Sequence, residues 1–440
     1  MLEGIGSSLI GLLLNLLGGT EELATVPLVS WQDAEIFALP APDPSVEALI
    51  EQYLQSLSNR GISRRSQGVW IQSNLGLLTH YQGTEPASAA SITKVATTLA
   101  AIQAWGVNHR FETRIYITGE VQNGAVTGDL IVLGGGDPFF VWEEAIALGN
   151  ALNEVGIQEV EGNLIVADRF TMNYSSDPVM AGRLLRQALD YRLWSPVIER
   201  QYLNLPVGTP RPQLAIAGTV LVDASPPPTA RLLLNRQSLT LAEILKQMNI
   251  YSNNEMAEIL AESVGGAASV ARLAAQAARV PTAEIQLING SGLGVENRIS
   301  PRAACQMFIA IERLLQDETI ELADLFPVAG RNRRGTMLDR SFPPGTIIKT
   351  GTLNQVSALA GMIPTEDRGA IWFAFINNDG NVLELRAAQD WLLENLTQDW
   401  QLAASSTASR SDAVYLGDPR RNRIVSSEPL TNDEYFKEQF

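Results

Sequence analysis

Apolar positions recur at helical spacing over Val46–Leu57, and two short apolar runs, Gly68–Ile71 and Gly76–Tyr81, predict strands after that first helix. Ser91 opens a long apolar stretch to about Trp105, which reads as a helix. Gly106 ends it, since glycine accepts the left-handed backbone of a helix terminus. From Gly106 to about Arg236 the pattern changes to Phe111–Thr118 and Asp129–Leu133 as strands, a glycine turn at 134–138, the helix Trp142–Val155 and the strand Asn163–Val166. Pro226-Pro227-Pro228 marks an exposed turn close to the end of this stretch. Helical period then resumes at Leu241–Met248, Asn254–Val264 and Ala268–Ala278, and again over Pro301–Leu315. The last block reads strand, strand, strand, helix: Gly345–Thr352, Val356–Ile363, Ala370–Asn377 and Leu383–Leu396. Three adjacent strands with short turns imply an antiparallel sheet whose faces the helices must cover, an α/β fold of the α+β kind.

This pattern divides the chain. Residues 44–105 and 237–400 form the expected core, interrupted by an inserted, mainly β/α unit at 106–236. Residues 20–43, with Leu39-Pro40-Ala41-Pro42, read as a linker, and 401–440 as a mobile polar tail. Leu9–Leu17 is an apolar run of signal-peptide length, although Glu3 stands where a basic residue is expected. It falls short of the roughly 20 residues of a membrane span. The expectation is export with cleavage, or retention as a weak peripheral anchor, against an interfacial or packed helix or a displaced start codon.

Composition narrows the function. In 440 residues the 45% apolar and 18% charged fractions are those of a globular protein, and a net charge of −16 argues against nucleic acid as a partner. The runs Arg331-Asn332-Arg333-Arg334 and Arg420-Arg421-Asn422-Arg423 read as solvated surface charge. One cysteine, Cys305, excludes an intrachain disulfide and reads as a buried inert thiol. Two histidines, His80 and His109, are too few for a histidine-rich metal cluster and stand in no catalytic motif.

Lysine is the informative residue. Only four occur among the 32 basic residues, and two lie in Ser91-Ile92-Thr93-Lys94 and Lys349-Thr350-Gly351. A chain that otherwise uses arginine keeps here an amine that can lose its proton, which a guanidinium cannot. Lys246 and Lys437 have no comparable motif and read as solvated charges. Ser91 and Lys94, three apart on a helix, share a face, so a neutral Lys94 could take the Ser91 hydroxyl proton. Desolvation or a neighbouring positive charge would have to lower its pKa, and Lys349 is the candidate for that charge.

Alone, a serine three places before a lysine means little. Ser252-Asn253-Asn254 at a helix start and Lys349-Thr350-Gly351-Thr352 on a strand complete an ordered set. Ser252 could relay a proton to a leaving amine, and the Asn254 amide could hold Lys94 and a substrate carbonyl. Lys349, Thr350 and Thr352 form a cationic, hydroxyl-rich edge suited to a terminal carboxylate, while Gly351 keeps the strand clear for substrate. The N–H groups of Ser91 and Thr352 would make an oxyanion hole. For Ser252, Asn254 and Thr350 singly, helix capping or strand surface is the plain alternative.

With these motifs the chain resembles the class C low-molecular-mass penicillin-binding proteins, which are D-alanyl-D-alanine carboxypeptidases that often also act as endopeptidases. The resemblance runs from about Val46 to Leu396 and takes in Phe111-Glu112-Thr113, Gly128-Asp129-Leu130, Gly136-Asp137-Pro138, Asn289-Gly290-Ser291-Gly292-Leu293 and Pro327-Val328-Ala329-Gly330. Asn289 departs from an aspartate common in the family. The 161 residues between Ser91 and Ser252 fit a family that carries inserted domains there, with one domain expected here and at most a remnant of a second.

What the resemblance implies is a penicillin-binding-protein or β-lactamase-like core and a serine DD-peptidase without metal or cofactor. It would remove the terminal D-Ala of peptidoglycan stem peptides, with possible cleavage of cross-links, through an acyl-enzyme on Ser91 that β-lactams also form. The implied location is the periplasm or cell envelope. A β-lactamase or esterase on the same core, and a catalytically silent peptidoglycan-binding protein, are the alternatives. Fast penicillin turnover would mark the first and absence of covalent labelling the second.

Overall fold

A computed structural model describes residues 42–403 and 414–425. The apolar run Leu9–Leu17, the linker up to Ala41 and Lys437 lie outside the described residues. The described residues belong to one compact unit that begins at Pro42.

Its centre is a five-stranded antiparallel sheet in the order Ile347–Leu353, Val356–Pro364, Ala370–Asn378, Gln67–Ser73, Gly76–Tyr81. The strand Ala370–Asn378 shows why both faces need cover. Trp372, Ala374 and Ile376 enter one apolar core and Ile371, Phe373 and Phe375 the other, as period-two alternation requires. The helices Pro44–Asn59 and Val382–Leu396 close the second face, through Tyr53, Leu54 and Leu57 and through Leu385, Leu392 and Leu393. Each fully buried side chain of this size is worth roughly 1.5–3 kcal/mol. On the first face lie Pro301–Leu315 and Thr93–Trp105. From Thr93 to Ile102 every residue of the latter is buried, so this helix runs through the middle of the domain rather than along its surface. Gly106, with φ 74°, ends it as expected.

Residues 112–237 build a second sheet and an apolar core of their own. Its strands run Val220–Asp223, Leu164–Arg169, Leu130–Gly135, Glu112–Ile117, Arg231–Gln237. The first three are parallel and the remainder antiparallel, with helices Trp142–Glu154 and Pro178–Leu189 packed into the same core.

Four expectations need correction. The stretch beyond residue 401 is not wholly a detached tail, because Asn422–Ile424 pairs with Arg231–Gln237 as a sixth strand. Its polarity is satisfied internally: Arg421 donates to Glu144 at 2.6 Å, Arg236 binds the same buried carboxylate, and Arg236 Nη1 donates to Asn422 Oδ1 at 2.7 Å. Arg421 is therefore not a solvated charge. Lys246 is not one either, since its Nζ is buried and donates to the carbonyls of Ala323 and Phe326, both at 2.6 Å, and to Asn332 Oδ1 at 3.1 Å. Finally, Ser91 does not open the α-helix, which begins at Thr93. Ser91 occupies the short 3-10 turn Ala90–Ile92 before it.

Candidate active site

Four pieces of chain meet at Ser91. The first is its own turn, where Ala90 adopts φ 46°, a left-handed conformation that costs a non-glycine residue about 1–2 kcal/mol. Two glycines let other segments approach it. A Cβ on Gly292 would collide with the Ala90 carbonyl oxygen, and one on Gly351 would stand 2.7 Å from Ala89 O and 3.0 Å from Ser91 N. Gly351 is thus required by the packing of its strand against the Ser91 turn, a reason different from the substrate clearance expected of it.

The second piece is the elbow between helices Leu241–Tyr251 and Asn254–Ser263. Ser252 caps the first in the left-handed region, φ 53°, and Asn253 caps the second by accepting the Met256 N–H at 2.8 Å. Asn254 is consequently the first residue of its helix, next to Lys94. The third piece is the strand Ile347–Leu353, carrying Lys349, Thr350, Gly351 and Thr352. The fourth is the loop 289–293.

Lys94 Nζ ties these together. It lies 3.1 Å from Ser91 Oγ, 2.7 Å from Asn254 Oδ1 and 2.7 Å from the Ser291 carbonyl oxygen, and the residue is wholly buried. Burial pulls its pKa down from 10.5 to about 7, while the carboxylates of Glu258 and Glu255 act in the opposite direction. The geometry has a specific consequence. An amide oxygen and a carbonyl can only accept, so they take the two N–H groups of a neutral amine, and the lone pair is left for the Ser91 hydroxyl. Lys349 is also buried, with Nζ 3.0 Å from Ser252 Oγ and donating to the Thr350 carbonyl at 2.7 Å. Burial lowers its pKa well below the usual lysine value, and the charge on Lys94 lowers it further. Desolvation therefore tunes Lys94, and the repulsion expected from Lys349 is felt chiefly at Lys349.

All eight residues singled out in the sequence, Ser91, Lys94, Ser252, Asn254, Lys349, Thr350, Gly351 and Thr352, lie in this cluster or on the strand beside it. Several contributors were not singled out. Ser291 belongs to a stretch read as turn chemistry, yet its carbonyl holds Lys94. Glu258 fixes that carbonyl by accepting the N–H groups of Gly290 at 2.9 Å and Ser291 at 3.0 Å, and Thr97 Oγ1 donates to Gly290 O at 2.7 Å. The glycines of the loop were a signal, but a backbone carbonyl leaves no mark in a sequence. Arg386, from helix Val382–Leu396, donates to Thr352 Oγ1 at 2.8 Å and belongs to no motif. His80 and His109 are engaged elsewhere, packing against Trp70 and Trp105. Cys305 is buried, as expected.

The chain matches the sequence pattern of the D-Ala-D-Ala carboxypeptidase 3 (S13) family over residues 49–181 and 212–398. It is similar to a carboxypeptidase of Mycobacterium tuberculosis, 24% identical over 404 residues that cover 80% of this chain and 82% of the relative. A second relative is the D-alanyl-D-alanine carboxypeptidase DacB of Haemophilus influenzae, 24% identical, with 74% of this chain and 89% of that protein covered. Among solved structures, the penicillin G-acylated predatory endopeptidase of Bdellovibrio bacteriovorus, in complex with an immunity protein, superposes with a TM-score of 0.67 at 22% identity, over 79% of this chain and 96% of that one. Penicillin-binding protein 4 of Haemophilus influenzae gives a TM-score of 0.59 at 20% identity, over 79% and 98%. These two likenesses establish a shared fold.

Proposed function

The chain belongs to the D-Ala-D-Ala carboxypeptidase 3 (S13) family, and from that premise we propose that it is a serine DD-peptidase of the cell envelope, acting through an acyl-enzyme on Ser91. The observation that carries this reading is the position of Lys94 Nζ, 3.1 Å from Ser91 Oγ, with its two other partners unable to donate.

The substrate is a peptidoglycan stem peptide ending in D-Ala-D-Ala. Lys94, neutral, takes the hydroxyl proton as Ser91 Oγ adds to the carbonyl carbon of the penultimate D-Ala. The N–H groups of Ser91 and Thr352 hold the resulting oxyanion. As the C–N bond breaks, the leaving amine takes up the proton from Lys94 by way of Ser252, whose hydroxyl lies 3.0 Å from Lys349 Nζ. Water then adds to the ester with Lys94 again as base, and the Ser91–acyl bond breaks to regenerate the hydroxyl. Asn254 and the Ser291 carbonyl keep the amine oriented in both steps. A β-lactam would enter by the same first step and open its ring on Ser91. Its acyl group would remain there, as the acylated Bdellovibrio relative illustrates for a protein of this fold.

Release of D-Ala from an acetylated D-Ala-D-Ala peptide tests the proposal. The wild type should release one D-Ala per peptide, and Ser91→Ala none. Release that persists in Ser91→Ala would remove Ser91 from the reaction. Release of a cross-linked stem from purified peptidoglycan, followed in parallel, reports endopeptidase action at the same serine.

A further inference from the structure

Lys349 is badly placed to be the lasting positive charge for a substrate carboxylate. Its Nζ is buried and already donates to Ser252 Oγ and to the Thr350 carbonyl. Burial and the neighbouring Lys94 both work against its charged form.

Strand alternation separates it from the rest of that edge. Gly351 faces the Ser91 turn, and Lys349 shares its side of the strand, so Thr350 and Thr352 present themselves on the opposite face. There Arg386 donates from Nη2 to Thr352 Oγ1 at 2.8 Å, and Thr352 is exposed. The carboxylate one helical turn further on, Asp390, is committed to Arg340 through contacts of 2.6 and 2.9 Å. Among the described residues Arg386 makes no ion pair, and its buried Nε has no hydrogen-bond partner. A guanidinium half withdrawn from water, within the field of Asp390 and Asp339 but ion-paired with neither, at the open end of the substrate strand is an incomplete arrangement.

We propose that Arg386 is a specificity-determining residue whose guanidinium, together with the Thr352 hydroxyl it orients, receives the C-terminal carboxylate of the substrate. This rests on the DD-peptidase reading above. Because Thr352 Oγ1 accepts from Arg386, its own O–H is free to donate to the carboxylate, and the guanidinium stays charged at every pH at which the enzyme works. Arg386 takes no part in proton transfer. It selects peptides with a free C-terminus.

The test compares a D-Ala-D-Ala peptide with its C-terminal carboxamide in wild type, Arg386→Gln and Arg386→Lys. Loss of a charge-assisted contact should raise KM for the free acid about 10- to 100-fold in Arg386→Gln, with kcat little changed. Activity on the carboxamide should stay at its wild-type value, so discrimination between the two narrows. Arg386→Lys should recover part of the loss. An equal fall on both substrates, or an unchanged KM for the acid, would overturn the proposal. If the carboxamide reacts too slowly to follow, KM for the acid and its recovery in the lysine variant decide. Should Arg386→Gln not fold, Arg386→Lys alone must show a raised KM for the acid with activity on the carboxamide unmoved. Penicillin labelling of wild-type Ser91 separates the two levels. Without it the peptidase reading itself fails; with it and an unmoved KM, only the role of Arg386 does.

Discussion

Two buried lysines in this protein sit in almost the same surroundings. Lys94 Nζ meets a backbone carbonyl, an asparagine oxygen and the Ser91 hydroxyl, and Lys246 Nζ meets two backbone carbonyls and an asparagine oxygen. The single substitution of a hydroxyl for a carbonyl changes what the amine can do. Around Lys246 the three named oxygens all accept, the Asn332 oxygen taking the Val328 N–H at 2.9 Å as well, so toward them the amine only donates and pins residues 323–332 to the helix Leu241–Tyr251. Around Lys94 one partner can itself give up a proton. Burial among acceptors alone makes a lysine structural; two acceptors that leave the lone pair to the Ser91 hydroxyl equip Lys94 for the role of base proposed above.

The sharpest way to break this comparison is to replace each lysine. Lys94→Arg should lower the rate of acylation by benzylpenicillin about 10²- to 10⁴-fold while thermal unfolding stays cooperative, because arginine cannot act as base. Lys246→Met should behave in the opposite manner. Acylation per folded molecule should remain close to wild type, and stability should fall by several kcal/mol, at about 1–3 kcal/mol for each buried oxygen left without a donor. A well-folded Lys246→Met protein as inert as Lys94→Arg would erase the distinction.

The pH dependence separates the two pockets next. With the Lys94 pKa at about 7, acylation should rise roughly tenfold per unit at lower pH and level off above it, since only the neutral amine accepts the proton. Stability carries the same signature. Below pH 7 Lys94 is protonated both folded and unfolded, so the full cost of burying the charge is present. Between about 7 and 10.5 the unfolded chain binds the proton and the folded one does not, which makes stability rise with pH. Relative to Lys94→Met, the wild type should gain up to about 5 kcal/mol across that window in denaturant titrations. A flat difference would place the charge of Lys94 in water.

The smallest expected effect concerns the loop that holds Lys94. Glu258→Gln removes a carboxylate that opposes the lowering of the Lys94 pKa and one of the two acceptors for the loop N–H groups. Acylation should fall by about tenfold or less, consistent with one lost hydrogen bond to a charged group, and the acid limb of its pH profile should move to lower pH. Movement to higher pH would contradict the electrostatic assignment.

Much of the site was legible because its side chains lie in short, ordered motifs. Ser91, Lys94, Ser252, Asn254 and Lys349 needed no structure to be singled out, and of the three final strands the last two announced themselves by largely apolar runs between short turns. What could not be read was carried by distance or by backbone. Lys246 looks solvated because its partners are carbonyls some 80 residues away, and no side-chain pattern encodes a carbonyl. Ser291 sat in a recognised stretch, but its use of the main chain hid its role. Asn422–Ile424 is too short to show alternation and is held by a buried carboxylate on a distant helix, so its arginines resembled a surface run. Arg386 acts from a helix face with no motif around it.

Acylation of Ser91 with Lys94 as its base is the central proposed step. Intact-mass spectrometry with peptide mapping after incubation with benzylpenicillin, on wild type, Ser91→Ala, Lys94→Arg and Lys246→Met, tests that claim most directly. The predicted result is one penicilloyl group on the Ser91 peptide in the wild type and in Lys246→Met, none in Ser91→Ala, and labelling slowed by at least about 10²-fold in Lys94→Arg. An adduct on a different residue, or labelling of Lys94→Arg at the wild-type rate, would contradict it.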